Sequence, residues 1–522
     1  MLDTAHLCVP DVFTRHGRDR AQQEAVVCGE VRRNWGDFNA NMNRVANRLL
    51  SMGLGKGDTV GVLMGNSVEI LEVMFGVVKS GACVVPLSGL LTGEQMAHLL
   101  TDSGVSVVVA SPDFMARLDD QRAALSHVDA GRWVAVHGDA PGWTAFDAWL
   151  GDASDATPAV TYGPDQDFNI IYSSGTTGLP KGIVQAHRAR SHWAVSNAIE
   201  MGFRDHSRAL TTTSLYSNGT WLMMLPVLFA GGTCVVMPTF DPVGFLDTLV
   251  QERITHTFMV PAQFIAVLEL PERARSETTR LEVMLCAGSP LRRETKRKAI
   301  ERFGPVLYEL YGFSEGFATL LKPAHPESKF HTVGIPVIGF DVRILDDDGR
   351  ILAAGEVGEV AGYGAGMLSR YHGRPDATEA LIWRDERQRT FIRSGDIGYL
   401  DEDGFLVLVD RKKDMIISGG FNVFPADLEA VIGSHPEVLD CTVIGMPHPK
   451  WGETPLAFVI RRTDAQISEQ DLKAWSNERL AKHQRLGELR WRDDFPRNAL
   501  GKVLKRELRQ ALDASGHAES GG

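Results

Sequence analysis

Short runs of β-branched residues alternate with longer helical patterns along roughly the first 400 residues of this chain. The segments "DTVGVLMG", "ACVVPLS", "VSVVVASP", "GGTCVVMP" and "ITHTFMV" are typical of strands. "SVEILEVMFGVVKSG" has helical spacing and ends at a glycine that suits a helix C-terminus. Because a helix between two strands lets them pair in parallel, we predict an α/β fold of largely parallel or mixed sheets covered by helices.

The pattern changes near residue 340, where two Asp-Gly pairs, Asp348-Gly349 and Asp403-Gly404, each stand between runs that alternate apolar and polar residues. Such pairs predict β-hairpins, so a small antiparallel β unit closes the large domain. Beyond it, "PADLEAVIGSHP", "VLDCTVIGMP" and "LKRELRQAL" indicate a compact α+β unit. Single cores stop growing at about 250–300 residues. We therefore predict an N-terminal domain over 1–410 and a C-terminal domain over 411–522, with the boundary at 410–413.

Composition excludes several classes of function. The formal net charge of −12 argues against a protein that binds nucleic acid without sequence preference. Six scattered cysteines form no C-x-x-C pair, which argues against zinc and redox motifs and suits free thiols in a reducing compartment. The N-terminus lacks the features of a signal peptide, and no apolar run reaches the length of a membrane span. We expect a cytoplasmic protein with no membrane span and no nucleic acid partner.

The segment "IIYSSGTTGLPKG" (170–182) concentrates Ser, Thr and Gly before a single lysine, Lys181. Backbone N–H groups and hydroxyls of such a loop can surround phosphate oxygens. It is not a Walker loop, because Pro180 stands where that pattern needs its second glycine and Gly182 follows the lysine. A strand candidate, "FNII", precedes the loop and a helix candidate, "AHRARSHWAVSNAIEMG", follows it. The alternative is a flexible, solvent-exposed loop with no binding role.

The loop resembles the phosphate-loop signature of the adenylate-forming superfamily, which includes acyl- and aryl-CoA ligases, luciferases and the adenylation domains of peptide synthetases. Four later segments are similar to that family's motifs in the same order: "LYGFSEG" (310–316), "RSGDIGYLDEDGF" (393–405), "DRKKDMIISGGFNVFPADLE" (410–429) and "PRNALGK" (496–502). Among these enzymes the chain looks most like the carboxylic acid:CoA ligases. The resemblance implies ATP, Mg²⁺ and coenzyme A as the molecules that the protein uses.

The implied chemistry explains these residue types. A carboxylate attacks the α-phosphorus of ATP, pyrophosphate leaves, and the acyl-adenylate then passes its acyl group to a thiol with release of AMP. Both reactants of the first step are anions, so catalysis depends on charge neutralisation and alignment.

The resemblance assigns roles residue by residue. It places the phosphates of ATP on the loop residues Ser173, Ser174, Gly175, Thr176, Thr177 and Lys181. It places the base and ribose on Gly288, Ser289, Tyr311, Gly312, Asp396 and Arg411. Ser314 would contact the α-phosphate and Glu315 would bind Mg²⁺, a hard cation that prefers carboxylate oxygen. Lys502 would bridge the substrate carboxylate and the α-phosphate. Each of these residues alone could equally be an ordinary surface or core residue.

The family also implies that the C-terminal domain, 411–522, is mobile and swings about a hinge at 410–413. In one orientation Lys502 enters the site for adenylation, and in the other the "SGGFNV" loop faces it. By this match Lys413 is the hinge residue, and Gly419 and Gly420 line the tunnel for the thiol. Glycine suits a tunnel wall because a side chain there would block a pantetheine arm.

By position in the family, the resemblance implies that the acid binds to four segments, 216–224, 258–264, 287–289 and 311–317, called here the acid-pocket segments. Their candidate contacts are Tyr216, Ser217, Trp221, Phe264 and Phe313, with Asn218, Met223, Met224, Phe258 and Phe317 nearby. The segments contain no charged residue except Glu315, so desolvation of a second charge would not be repaid. We therefore predict an aryl, cyclic or medium-chain monocarboxylic acid. The alternative is that some of these aromatic residues only pack the core.

Ser217 stands where many CoA ligases have histidine and amino-acid-activating domains have aspartate. The missing aspartate argues against amino acid substrates. Three other functions stay open: an enzyme that loads a carrier-protein thiol, a luciferase-type oxidase, and a non-enzymatic nucleotide sensor. We expect a monomer or homodimer, and the sequence does not name the acid.

Overall fold

The computed structural model describes residues 6–173, 180–271, 280–418, 421–463, 465–498 and 501–519. Its α-helices are α1 (Val9–Asp19), α2 (Trp35–Ser51), α3 (Val68–Lys79), α4 (Gly93–Asp102), α5 (Pro112–Asp119), α6 (Phe146–Leu150), α7 (His187–Met201), α8 (Trp221–Ala230), α9 (Pro242–Gln251), α10 (Pro261–Leu268), α11 (Arg293–Phe303), α12 (Pro375–Glu379), α13 (Pro425–Ile432), α14 (Glu469–Arg479) and α15 (Lys505–Glu519).

The strands up to residue 260 are β1 (Glu24–Cys28), β2 (Val31–Asn34), β3 (Thr59–Leu63), β4 (Cys83–Pro86), β5 (Val107–Ala110), β6 (Trp133–Ala135), β7 (Thr144–Ala145), β8 (Asp167–Ser173), β9 (Lys181–Ala186), β10 (Arg208–Thr211), β11 (Thr233–Val236) and β12 (His256–Met259). Those that follow are β13 (Val283–Cys286), β14 (Leu307–Gly312), β15 (Ala318–Leu321), β16 (Ile335–Pro336), β17 (Phe340–Leu345), β18 (Gly358–Gly364), β19 (Arg370–Tyr371), β20 (Ile382–Arg384), β21 (Thr390–Leu400), β22 (Leu406–Arg411), β23 (Ile416–Ser418), β24 (Phe421–Val423), β25 (Val438–His448), β26 (Gly452–Arg461) and β27 (Glu488–Trp491).

Two large sheets form the first part of the chain. One has the order β19-β9-β8-β4-β3-β5-β6-β7, and the other has the order β16-β15-β14-β13-β12-β10-β11-β1-β2. Their central strands pair in parallel, and the antiparallel pairs β8–β9 and β14–β15 lie toward one side of each sheet. Helices connect the parallel strands, as the alternating pattern predicts, so the α/β fold class is confirmed.

Local sequence signals fix the helix ends. The predicted helix of residues 67–81 is α3, and the side chain of Ser67 accepts a hydrogen bond from the backbone N–H of Ile70 at its N-terminus. Beyond its C-terminus Gly81 has a φ of 85°, a value that glycine adopts more readily than other residues. Every residue of α3 except Glu69 is buried, because this helix packs between α2 and the sheet.

The predicted hairpin at Asp403-Gly404 is present: β21 and β22 pair antiparallel, and Gly404 has a φ of 82°. At Asp348-Gly349 the chain also reverses, with Gly349 at a φ of 81° and a single bridge between Leu345 and Ile351. These strands belong to a five-stranded sheet of β17, β18, β20, β21 and β22. A second five-stranded sheet, of β23 to β27, packs with α13 and α14 around a core of its own.

The chain divides into two compact units. The first comprises Met1–Phe330, Pro336–Asp341 and Tyr363–Ile382, and the second comprises His331–Ile335, Val342–Gly362 and Trp383–Gly522. By compactness the small β unit groups mainly with the C-terminal residues. This division follows the packing of the chain and not its motion, so the boundary and hinge at 410–413 stay a prediction. In the described ranges no helix is both long and apolar enough to cross a bilayer.

Lys296 and Glu309 form an ion pair inside the first unit, with only 4% of each side chain exposed. The ammonium group also donates to the backbone oxygen of Phe330 (2.7 Å), and the carboxylate accepts the backbone N–H of Leu291 (3.0 Å). The pair thus ties α11 to β14 and to the loop that follows β13. Removal of one partner leaves the other charge buried without a counter-ion.

We expect Lys296→Met to lower the free energy of unfolding by about 3–5 kcal/mol, because Glu309 stays buried and unpaired. The double variant Lys296→Met, Glu309→Gln should recover most of this loss. Urea unfolding of the full chain, followed by tryptophan fluorescence, measures both. Arg297→Met, an exposed change on the same helix, is the control, and a loss no larger than that control's would contradict the prediction.

Candidate active site

Four predicted segments meet at one edge of the nine-stranded sheet. Strands β10, β12, β13 and β14 are parallel neighbours, so their carboxyl ends lie on the same side. The chain leaves those ends through residues 212–220, 260, 287–292 and 313–317. In open α/β sheets ligands bind outside the carboxyl ends of the strands. The acid-pocket segments and the predicted adenine residues are therefore brought to a position that suits a ligand.

The phosphate loop joins two antiparallel strands. Ser173 is the last residue of β8, Lys181 is the first residue of β9, and the two are cross-strand partners. Ser174, Gly175, Thr176 and Thr177 lie outside the described residues. The sequence analysis does not predict β9, and the helix α7 begins only at His187. Lys181 is therefore presented by a strand end, because the β-branched Ile183 and Val184 favour a strand before the helix starts.

Tyr371 links two of the predicted residues. Its hydroxyl donates to Oε1 of Glu315 (2.7 Å), and Nζ of Lys181 lies 4.9 Å from the centre of its ring. The side chain is buried, and its backbone pairs with Ile183 of β9. Burial, and then the neighbouring Glu315 carboxylate, raise the pKa of Tyr371, so its hydroxyl keeps its proton and acts as a donor. Sequence analysis misses Tyr371, because 56 residues separate it from Glu315 and no spacing rule connects them.

The turn at 313–316 is held by its backbone. The carbonyl of Ser314 accepts from Nε2 of Gln185 (2.9 Å), and the carbonyl of Glu315 accepts from the N–H of Leu368 (2.7 Å). Gly316 has a φ of 152°, and a Cβ there would lie 2.6 Å from Cα of Met367. Only glycine fits this close approach. The Ser314 and Glu315 side chains are thereby fixed at the sheet edge, half-buried.

Glu315 fits the Mg²⁺ that the family implies. One carboxylate oxygen is engaged by Tyr371, which orients the group and leaves the other oxygen for a metal ion. Mg²⁺ sites commonly use one or two carboxylates and complete their shell with substrate phosphates and water. A single oriented carboxylate, held by a tyrosine that also lies near Lys181, meets that requirement.

The predicted adenine residues lie at the ends of two neighbouring strands. Gly288 and Ser289 follow β13, and Gly288 has a φ of 96°. Tyr311 and Gly312 end β14, where the Tyr311 ring is half-buried with its centre 6.3 Å from that of Phe317. The role of these four residues in binding adenine stays a prediction.

The five candidate contacts of the acid differ in exposure. Tyr216 and Phe313 are half-buried, and Ser217 is 7% exposed in the turn before α8. Trp221 and Phe264 are buried, with Trp221 beside Phe75 and Phe168 and Phe264 within the core cluster of the nine-stranded sheet. Tyr216 and Phe313 therefore offer the more accessible surface, and the role of all five in acid binding stays a prediction.

The second unit gathers four other predicted residues. Asp396 and Arg411 are cross-strand partners of β21 and β22, and the guanidinium of Arg411 lies 3.0 Å from the carboxylate of Asp396. Burial, and then the charge of Arg411, lower the pKa of Lys502 to about 8, and Asp396 partly offsets this. Burial and Arg411 also lower the pKa of Lys413 to about 8. Gly419 and Gly420 lie outside the described residues.

Family models match both parts of the chain. The model described as AMP-binding enzyme matches residues 13–372, and the model described as AMP-binding enzyme C-terminal domain matches residues 427–502. The first match alone covers well over half of the chain.

The proteins that this chain resembles include enzymes that join carboxylic acids to CoA. A feruloyl-CoA synthase of Amycolatopsis is 32% identical over 95% of this chain and 97% of its own length. A long-chain-fatty-acid–CoA ligase of Mycobacterium tuberculosis is 34% identical over 93% of this chain and 94% of its own length. The structure of o-succinylbenzoate CoA synthetase from Bacillus subtilis, solved with its acyl-adenylate intermediate, has a TM-score of 0.83 at 26% identity and covers 96% of this chain and 98% of that one. With these family matches and this shared fold, the chain belongs to the AMP-binding enzyme family of adenylate-forming enzymes.

Proposed function

We propose that this protein is an ATP-dependent carboxylic acid:CoA ligase that acts on an aryl, cyclic or medium-chain monocarboxylic acid. A carboxylate oxygen attacks the α-phosphorus of ATP, the bond from that phosphorus to the bridging oxygen breaks, and pyrophosphate leaves. The CoA thiolate then attacks the acyl carbon, and AMP leaves with the former carboxylate oxygen. The observation that carries the proposal is the contact of Tyr371 with both Lys181 and Glu315 beside the phosphate loop.

That contact brings together groups that are proposed to neutralise phosphate charge in the first step. Lys181 presents a positive charge at the end of the loop that is proposed to hold the β- and γ-phosphates. Glu315 is proposed to hold Mg²⁺, which when bound neutralises phosphate charge. Tyr371 keeps the carboxylate in one orientation and places an aromatic face near the lysine, an attractive arrangement for a cation. Preorganised charge of this kind needs little rearrangement during reaction.

The second unit is proposed to supply the remaining charges. Lys502 would neutralise the α-phosphate and the attacking carboxylate during adenylation, and Asp396 with Arg411 would bind the ribose. With a pKa of about 8, Lys502 is mostly protonated at pH 7, as this role requires. We propose that residues 411–522 turn about the hinge at Lys413 between the two half-reactions, and that Gly419 and Gly420 then line the thiol tunnel.

The substrate class rests on the acid-pocket segments and on the relatives. The segments offer aromatic and methionine side chains and, apart from Glu315, no charge. Each buried CH₂ adds about 0.8 kcal/mol, so acetate should be a poor substrate. The feruloyl and fatty-acyl names of two relatives support an aromatic or extended acyl group. We place the reaction in the cytoplasm, where ATP and CoA are available and where six free cysteines would stay reduced.

Two alternatives share the first half-reaction. An enzyme that loads a carrier-protein thiol would form the adenylate but transfer the acyl group poorly to free CoA. A luciferase-type oxidase would consume oxygen after adenylation. We propose a monomer or a homodimer, and either state is compatible with a site of this kind.

The proposal predicts acid-dependent formation of AMP and pyrophosphate, followed by a CoA thioester. We expect the highest kcat/KM among benzoate, a cinnamate, hexanoate and octanoate, and much lower values for acetate, malonate and amino acids. Assays with and without CoA separate the two half-reactions. A clear preference for acetate, malonate or an amino acid would contradict the substrate class, and absence of AMP with every acid would contradict the ligase itself.

We expect kcat/KM for adenylation to fall as the pH rises through about 8. Lys502 neutralises charge only when protonated, so its contribution is present below this pKa and is lost above it. In the Lys502→Arg variant the side chain stays positively charged in this pH range. The kcat/KM of this variant should therefore not fall as the pH rises through about 8. Lys413→Met removes a positive neighbour that lowers the pKa of Lys502, so it should move the decline to higher pH. An identical alkaline decline in wild type and Lys502→Arg would rule out Lys502 as its source.

Tyr371→Phe should raise the Mg²⁺ concentration needed for ATP binding by about 10- to 100-fold, because Glu315 loses the donor that orients it. The ring beneath Lys181 remains in this variant. Calorimetric titration of ATP at fixed Mg²⁺ concentrations measures the effect without turnover. Tyr172→Phe is the matched control, since its hydroxyl donates to Asp102 instead. Equal Mg²⁺ dependence in the two variants would show that Tyr371 does not position Glu315.

A further inference from the structure

Arg190 is a buried cation with no acidic partner in the described part of the chain. It lies on α7 with 2% of its surface exposed, and only burial shifts its pKa, which falls to about 9. The guanidinium therefore remains charged at neutral pH. A buried charge without a counter-ion is costly unless dipoles or a ligand satisfy it, and such groups concentrate at functional sites.

Neutral groups hold the guanidinium in place. Nε donates to Oδ1 of Asn169 (2.7 Å), Nη2 donates to Oδ1 of Asn218 (3.0 Å), and the group lies 4.2 Å from the centre of the Trp221 ring. Nη1 makes no hydrogen bond to any residue that the structure describes. Arginine carries five N–H donors, so this side chain retains hydrogen-bonding capacity after its protein contacts are made.

The partners of Arg190 connect it to the predicted acid site. Asn218 and Trp221 belong to the acid-pocket segment that follows β10, and Asn218 is adjacent to Ser217. Asn169 is the cross-strand partner of Gln185, whose Nε2 donates to the carbonyl of Ser314. Gln185 thus contacts the turn of Ser314, its strand neighbour Asn169 contacts the guanidinium, and Asn218 connects the guanidinium to the acid-pocket segment.

Two side-chain atoms of these residues, one on Asn169 and one on Gln185, also lack a hydrogen-bond partner within the described residues. Nδ2 of Asn169 and Oε1 of Gln185 are buried and make no hydrogen bond. Buried polar groups without partners are uncommon in proteins and mark places where water or a ligand group belongs. This observation is independent of the charge of Arg190 and points to the same location.

We propose that Arg190 determines specificity by donating a hydrogen bond from Nη1 to an oxygen atom on the end of the acid remote from the activated carboxylate. The proposal rests on the acid:CoA ligase function and narrows its substrate class to aryl or cyclic acids that carry a phenol, ether or keto oxygen. A single oxygen suits Nη1. The Nε–H and one N–H of Nη2 already donate to neutral amide oxygens, which shows that this guanidinium is compatible with uncharged acceptors.

The test compares matched pairs of acids that differ by one oxygen: benzoate against 3- and 4-hydroxybenzoate, and cinnamate against 3- and 4-hydroxycinnamate. We expect the wild type to favour the oxygen-bearing member of at least one pair by about 10- to 100-fold in kcat/KM, the size of a hydrogen bond to a charged group. Arg190→Met should abolish this ratio. The ratio is taken within one preparation, so a loss of folded protein does not alter it.

Two further variants sharpen the result. Arg188→Met changes an exposed arginine of the same helix and should keep the wild-type ratio. Arg190→Lys keeps a positive charge but on an ammonium group, and it should retain part of the preference for the oxygen-bearing acid. Calorimetric binding of the same acid pairs gives a second readout that needs no turnover. If the wild type forms AMP with these acids but shows no oxygen preference, or if Arg190→Met keeps that preference, the proposal fails and the ligase function stands.

Two other outcomes also decide the question. An Arg190-dependent preference that is largest for a dicarboxylic acid would overturn the neutral-oxygen proposal, because the guanidinium would then recognise an anion. If no acid yields AMP, the ligase function fails, and the calorimetric pairs still show whether Arg190 recognises the oxygen. Equal affinities in every pair for wild type and Arg190→Met would overturn the proposal in that case as well.

Discussion

Parallel pairing of β10, β12, β13 and β14 is the constraint on which the rest of the site depends. Strands that run in one direction must end at one edge, so four segments far apart in the sequence begin there together. The acid-pocket segments, the adenine residues and the turn of Glu315 all follow from this geometry. The sheet is stabilised by its buried aliphatic core, and the loops at its edge are free to carry chemistry.

Each compact unit contains a cluster of charged residues among the predicted site residues. The proposed reaction brings a carboxylate to a triphosphate, and each compact unit contains a cluster that suits such a task. In the first unit Tyr371 stands between Lys181 and Glu315. In the second unit Lys502 lies close enough to Arg411 and Asp396 for their charges to shift its pKa. In each cluster the cation has charged or aromatic groups near it, and preorganised charge of this kind reduces the reorganisation needed during reaction.

The sequence predicts the fold class well, because periodicity and turn residues are local signals. The α3 helix and the Asp403-Gly404 hairpin follow from such signals. The motifs also locate the candidate site, since five matches in order are hard to produce by chance. Local patterns cannot reveal contacts such as that of Tyr371 with Glu315, or that of Arg190 with the acid-pocket segment. Those contacts depend on which elements become neighbours, and one-dimensional spacing does not record this.

Acid-dependent exchange of labelled pyrophosphate into ATP, measured without CoA, tests the central claim most directly. Reversible formation of an acyl-adenylate predicts exchange that requires both the acid and Mg²⁺, and that CoA suppresses by consuming the intermediate. The exchange should be saturable in an aryl or medium-chain acid. Absence of exchange in protein that forms a CoA thioester from the same acid would contradict an acyl-adenylate, since the ester would then arise by another route.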